Sequence, residues 1–284
     1  MSLIVSKMGK LLKFCLNPLL VVLGVFSCSQ ATDRLNLIEK RKLAEEIFKN
    51  GSHLPQGSPK SMTRIEEAIA ADTTYAEALR ELSVAYLKRG MPHKWLPQFN
   101  KAVRHDPNTW VPWRGYLYLY FYRDYKKAIA DFNTSDTLTK HIDYPQGHSV
   151  DFWRGIAYLG LKDYDNSITY WDKHIKKETE DTGEDWVELE AFLYRGIAHY
   201  ESGNNQKAMK DFNKAIQYFK QTADAKYYKA KILLDQNKKE AAQKMINEAM
   251  IDFNSGFHNN YHYVELLRQI YLSDIEELKS EIMR

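Results

Sequence analysis

Two columns of residues recur along this 284-residue chain and constrain its fold more than any other feature. Bulky apolar side chains stand at Ile65, Phe99, Phe132, Trp171, Phe212 and Ile246, at spacings of 34, 33, 39, 41 and 34 residues. Four residues before each lies a second column, Ser61, Trp95, Ala128, Ser167, Ala208 and Ala242, small everywhere but at Trp95. Positions four apart lie one turn from each other on one helix face. The repeat is long enough for a helical hairpin, whose small residue lets two helices approach while the bulky one fills the gap to the next hairpin. One hairpin buries too little apolar surface to stand alone, so the units must stack. Composition agrees. Glycine and proline together number 21, about 7% of the chain against roughly 12% in average usage, which leaves little room for the turns of an all-β fold.

Residues 76–108, AEALRELSVAYLKRGMPHKWLPQFNKAVRHDPN, resemble a tetratricopeptide repeat. Leu79, Leu82, Ser83 and Tyr86 occupy a first helix, Phe99 and Ala102 a second, and Pro107 closes the unit. Two further stretches fit in register: Gly155, Tyr158, Tyr164, Ser167 and Trp171, then Gly196, Gly203, Ala208, Phe212 and Ala215. The resemblance implies an all-α, right-handed α-solenoid with repeats over 37–256, at about 37–75, 76–108, 109–142, 148–182, 189–222 and 223–256. The excess spacings place insertions near 134–147 and 177–188. Leu267, Tyr271, Ile275, Leu278 and Ile282 then step as one helical stripe, so residues 257–284 are expected to form a C-terminal capping helix.

Residues 1–27 read as an export signal. Lys7, Lys10 and Lys13 precede the apolar run 19–26, and no acid occurs before Cys28. That run is too short to span a bilayer comfortably, which takes about 20 apolar residues. Val25-Phe26-Ser27-Cys28 resembles a bacterial lipobox, although Phe26 is bulkier than that motif usually carries. The other cysteine, Cys15, lies inside the leader, so the mature chain would hold a single thiol at its first residue and no internal disulfide. The lipobox resemblance implies diacylglycerol and an N-acyl chain on Cys28, a tether over 28–36, and an outer-membrane lipoprotein facing the periplasm. The other readings are an uncleaved N-terminal membrane helix and a buried cysteine in a mis-called start. Without the leader the body carries 37 basic and 37 acidic residues, and this neutrality argues against nucleic acid as a partner.

Catalytic signatures are missing: there is no phosphate loop, no His-Glu-x-x-His and no Gly-x-Ser-x-Gly. The chain is therefore expected not to be an enzyme and to hold no cofactor beyond the lipid. His258 and His262 would share a helix face but lack a third ligand, so no metal site is assigned. Glu178, Glu180, Asp181, Glu184 and Asp185 read as a solvated loop, since they do not alternate as calcium ligands do.

Two columns on the first helix of the repeats carry the functional expectation. Arg114, Arg154 and Arg195 each precede a glycine, and Asp131 and Asp211 stand opposite two of them. They read either as ion pairs within hairpins or as contacts to an acidic ligand, with Arg154 the freest because Tyr170 replaces its aspartate. Just before them stand Trp113, Trp153, Tyr194 and Tyr228, with Tyr116 and Tyr120 one and two turns beyond Trp113. The tetratricopeptide resemblance places this column on the concave groove, where such rings serve as binding anchors. The other reading packs them under the insertions. Pro112 with Tyr116 and Phe152 with Ile156 stand where chaperone-binding members carry a lysine–asparagine clamp, so an acidic chaperone tail is not the expected partner. Two functions remain: a scaffold for another envelope protein or peptide, or a glycan- or peptidoglycan-binding module that stacks sugars on the aromatic groove.

Overall fold

The computed structural model describes residues 36–284, and every regular element among them is helical. Thirteen α-helices follow one another: α1 (36–52), α2 (Pro59–Ala71), α3 (Ala76–Lys88), α4 (Pro92–His105), α5 (Pro107–Tyr122), α6 (Tyr125–Leu138), α7 (Val150–Gly160), α8 (Tyr164–Thr182), α9 (Leu189–Glu201), α10 (Asn205–Tyr218), α11 (Ala223–Asp235), α12 (Lys239–Asn254) and α13 (Leu272–Met283). Single 3₁₀ turns at Pro145–Gly147 and Glu184–Trp186 lie within the two insertions. The leader and Cys28 lie outside the described residues. No described helix is long and apolar enough to cross a membrane.

Two compact units divide the chain, one ending at Ala78 and the other beginning at Leu79. In the first, α1 and α2 close on small residues. Ser61 Oγ donates to the Gly51 carbonyl at 3.1 Å, and a Cβ at Gly51 would lie 2.7 Å from that of Arg64. Phe48 meets Tyr75 edge-on at 5.4 Å, and Arg41 Nε pairs with Asp72 at 2.5 Å.

In the second unit α5/α6, α7/α8, α9/α10 and α11/α12 pair as hairpins that stack in chain order as a tetratricopeptide-like solenoid. First helices also touch first helices, α5 to α7, α7 to α9 and α9 to α11, and so line one common face. The turn inside each hairpin is built alike. A residue in the left-handed region (Arg123, Lys162, Gly203, Asn237, φ 50° to 84°) precedes the second helix's N-cap. Asp124, Asp163 and Asn204 there accept the backbone N–H three residues on, at 3.1–3.3 Å.

The bulky column fills the core: Phe99, Phe132, Trp171, Phe212 and Ile246 are all fully buried. Three of them rest in a notch left by a glycine on the first helix of their own hairpin. A Cβ at Gly115, Gly155 or Gly196 would lie 2.7, 2.5 or 2.6 Å from the ring of Phe132, Trp171 or Phe212. Trp95, the misfit in the small column, is buried against the next hairpin, stacked on Tyr122 at 5.0 Å.

The C-terminal helix is shorter than the apolar stripe suggests. It covers only Leu272–Met283, and Ile275, Leu278 and Ile282 bury against the array. Leu267 precedes it, and Tyr271 is its exposed N-cap. Residues 257–271 are not helical: the segment spends its hydrogen-bonding groups on the first helices and buries Leu266 and Ile270.

Candidate functional site

The arginine column serves the fold. Arg114 grips Asp131 through Nε and Nη2 at 2.8 and 2.7 Å, and Nη1 reaches Asn100 of the preceding hairpin at 2.8 Å. Arg195 repeats this, with Asp211 at 3.0 and 2.6 Å and Asp172 at 2.8 Å. Each guanidinium therefore fixes its hairpin's register and clips it to the one before. Arg154, expected to be the freest, is the most enclosed at 2% exposure. Lacking an opposed aspartate, it turns to Asp151 at 2.6 Å, Asp136 and the Phe132 carbonyl at 2.5 Å, and Asn133 at 3.2 Å. Burial opposes its charge, yet the bonds to Asp136 and Asp151 hold the guanidinium above its ordinary value. It is not open to a ligand.

The aromatic column lines the first-helix face, but most of its rings are packed. Tyr116, Trp153, Tyr194 and Tyr228 are buried, while Trp113 and Tyr120 are partly exposed. Trp153 donates its indole N–H to the Pro145 carbonyl at 2.9 Å, beneath the first insertion, and its ring centre lies 4.9 Å from that of Tyr116. Tyr194 and Tyr228 instead lie flat on the bulky residue of the preceding hairpin. Tyr194 stacks on Trp171 at 5.9 Å and 8°, Tyr228 on Phe212 at 5.7 Å and 17°. The column is thus largely an inter-hairpin packing device, and the expectation of open groove rings is corrected for these four. Burial pushes the hydroxyls of Tyr116, Tyr194 and Tyr228 far above the usual tyrosine range.

What covers the face is the chain itself. Residues 257–271 form a strap across the first helices. It starts on α11, where Ala223 N–H donates to the Phe257 carbonyl at 2.9 Å and Asn259 N–H to Asp224 at 2.8 Å. Asn259 Nδ2 then reaches Tyr194 Oη at 3.1 Å, and Tyr261 meets Tyr120 edge-on at 5.3 Å. Tyr263 lies under Lys88 Nζ at 4.6 Å. Returning, the strap gives its Glu265 carbonyl to Arg123 at 2.9 Å and its Leu267 carbonyl to Tyr194 at 3.2 Å. Arg268 closes it with two bonds to Glu201, at 2.5 and 2.7 Å. The strap keeps His258 and His262 off any helix. His258 stacks on Phe253 at 4.0 Å, and no group of three or more potential metal ligands converges among the described residues.

Between strap and helices remains a cavity of about 240 Å³, walled by Tyr116, Tyr120, Phe152, Trp153 and Tyr194 and roofed by Asn259, Asn260 and Tyr261. Glu190, in the first turn of α9, reaches it from one side. Nearby Asp224 is buried, and that burial pushes its carboxyl up to about 7.

One hydrogen-bonded relay escaped the sequence motifs, because its members come from three separate stretches. Ser149 Oγ lies 2.9 Å from His174 Nδ1, and His174 Nε2 and His148 Nδ1 lie 3.0 and 3.1 Å from the two oxygens of Glu188. Burial would raise the Glu188 carboxyl, but the bonds to His148 and His174 overcome it and hold the group well below the usual range. Ser149 and His174 are buried, and Ser149 Oγ already accepts the Phe152 N–H as the N-cap of α7. That serine is a cap rather than a nucleophile, and the relay ties the two insertions together.

Residues 193–249, from α9 into α12, match the family described as "Tetratricopeptide repeat". Solved structures share the fold. PilW, described as a widely conserved type IV pilus biogenesis factor, superposes with a TM-score of 0.58 at 16% identity, covering 77% of this chain and 94% of its own. A tetratricopeptide repeat protein from Parabacteroides merdae gives 0.51 at 19%, covering 88% and 85%. YrrB, described as a tetratricopeptide protein with an unusual peptide-binding site, gives 0.50 at 16%, covering 66% and 91%. No curated protein matches the chain by sequence.

Proposed function

We propose that the chain is a lipid-anchored, non-catalytic scaffold of the bacterial cell envelope that holds an extended segment of another protein on its first-helix face. The supporting observation is the strap. Arg123 and Tyr194 donate to backbone carbonyls of Glu265 and Leu267, so this face is equipped to hold irregular main chain regardless of its side chains. Such contacts suit peptide recognition, in which main-chain bonds supply affinity and pockets supply selectivity. The fold neighbours add a peptide-binding protein and a pilus biogenesis factor. Cys28, as the lipid attachment point, would place the scaffold on the outer membrane facing the periplasm. The glycan reading lacks comparable support, since a sugar platform needs an open ring face and Trp153 and Tyr194 are buried.

A photo-crosslinking residue in place of Tyr120, on the face, is expected to capture a partner in intact cells. The same residue at Ile251, exposed on α12, is expected not to. Equal capture at both positions would reject the groove. Cys28→Ala is expected to abolish fatty-acid labelling and to leave an uncleaved precursor, and labelling that persists would reject the anchor.

A further inference from the structure

We propose that the aromatic cavity beneath the strap is a binding site for one organic cation, an ammonium or guanidinium head group, with Glu190 as its counter-ion. The proposal deepens the groove reading, on which it rests, by naming the chemistry of the group that the face accepts.

Three observations converge. First, five aromatic rings wall one cavity of about 240 Å³ and a sixth, Tyr261, roofs it. Ring faces carry negative potential, and a cation within about 6 Å of a ring centre is attracted to it, more strongly where water is excluded. Secondly, Glu190 makes no hydrogen bond or ion pair among the described residues, although it is partly buried and lines this cavity. Other carboxylates of the array have partners: Glu188 two histidines, Glu201 Arg268, Asp252 Lys226 at 2.5 Å, and the buried Asp224 the Asn259 backbone N–H at 2.8 Å. Thirdly, no lysine or arginine lines the cavity, and the histidine that does, His148, is already paired with Glu188 at 3.1 Å. Elsewhere the chain supplies its own cation to its ring clusters. Lys231 lies 5.4–5.9 Å from the rings of Tyr200, Tyr227 and Tyr228, and Arg154 and Lys173 flank Tyr170. Here both halves of a cation site stand without the cation.

A neutral sugar is a poorer match. The walls meet one another edge-on or tilted, as Tyr120 and Tyr116 do against Trp153, and leave no flat platform. A neutral apolar guest would confine Glu190 with no compensating charge. The ammonium group could belong to a lysine of a partner segment or to a free quaternary amine, and one titration separates the two.

The intact chain is titrated by calorimetry with tetramethylammonium, with tert-butanol as a neutral analogue of similar shape, and with N-acetylglucosamine. Saturable binding of tetramethylammonium with a Kd of about 1 mM or tighter is expected, and none by the other two. Glu190→Gln is expected to weaken binding at least about tenfold, ~1.4 kcal/mol, with melting unchanged. Tyr120→Leu, in the aromatic wall, is expected to weaken it as well. Tighter binding of a blocked Gly-Lys-Gly peptide than of tetramethylammonium assigns the cation to a partner lysine, and the reverse order assigns it to a free amine. The proposal is overturned if tetramethylammonium does not bind saturably, if Glu190→Gln binds it equally well, or if tert-butanol or the sugar binds as tightly. Crosslinking at position 120 that persists alongside any of those results would leave the scaffold standing and remove only the cation site.

Discussion

Gly155→Ala tests the packing logic of the repeat, because two effects of known size oppose each other there. In an open helix interior, alanine gains about 1 kcal/mol over glycine. Here the added methyl would lie 2.5, 2.7 and 2.8 Å from three atoms of the Trp171 ring, about 1 Å inside the optimal carbon separation. The ring cannot withdraw. It is fully buried, with Phe152 edge-on at 4.9 Å and Tyr194 stacked behind it. Overpacking of this kind costs about 1–3 kcal/mol, and three simultaneous overlaps put this site at or beyond the top of that range. Net destabilisation of about 2 kcal/mol is expected, lowering Tm by roughly 4–8 °C for a chain of this size. Urea unfolding followed by far-ultraviolet circular dichroism measures it, with amide exchange in α7 and α8 reporting any local opening that an array permits. The Gly155→Ala, Trp171→Leu cycle supplies the mechanism. If the methyl clashes with the indole, the double variant should recover about 1 kcal/mol or more relative to additivity. A neutral or stabilising Gly155→Ala, or strict additivity with Trp171→Leu, would refute the notch.

Four further outcomes follow from the same contacts. Arg154→Met should cost about 3 kcal/mol in urea unfolding, because it strands Asp151 and removes the clip to α6; a neutral result would mean that the guanidinium is dispensable to the fold. Burial pushes the Asp224 carboxyl up to about 7, well above the ordinary aspartate value of about 3.9, so the folded state binds the extra proton. Its effect is a loss of stability as pH rises from about 4 to 7, roughly 4 kcal/mol in all, and Asp224→Asn should flatten that limb of the unfolding free energy. Glu188 behaves oppositely: its depressed carboxyl contributes stability that is complete above the ordinary glutamate value of about 4.3 and is lost as pH falls, so Glu188→Gln should soften the acid limb of a thermal melt. Lys162 sits at φ 59°, where a side chain costs roughly 1 kcal/mol relative to glycine; Lys162→Gly should raise the urea midpoint slightly, and a fall would show that its side chain is needed.

Whatever repeats was legible in the sequence. The columns at Phe132, Trp171 and Phe212 and at Ala128, Ser167 and Ala208 recur because each hairpin solves the same packing problem, and the structure places them where two helices cross. The intra-hairpin reading of Arg114 and Arg195 followed from the aspartate standing in register with each. Arg154 escaped the same reasoning because its partners, Asp136 and Asp151, belong to other columns. An absent partner in the expected column does not make a charge free; burial forces it to find another. The turn residues Arg123 and Lys162 gave no signal either, since of the four left-handed positions only Gly203 and Asn237 are residue types that favour that conformation.

The strap was illegible for a deeper reason. Its contacts are single events joining distant stretches: Leu267 to Tyr194, Glu265 to Arg123, Arg268 to Glu201. Two of these use a backbone carbonyl, which every residue possesses, so no side-chain pattern in 257–271 could announce them. The apolar positions Leu267 and Tyr271 even continue the spacing of α13, and periodicity alone extends the helix through them. Only the competition between helix and groove decides the outcome, and the groove offers donors that a helix start would leave unused. The same competition governs any segment that approaches the face from outside. To reach Arg123 and Tyr194 it must first release the strap's carbonyls and the paired Arg268, so its apparent affinity is the intrinsic one reduced by the fraction of chains with the strap open. Weakening the Arg268–Glu201 closure raises that fraction without touching either donor, and so separates the strength of the face from its accessibility.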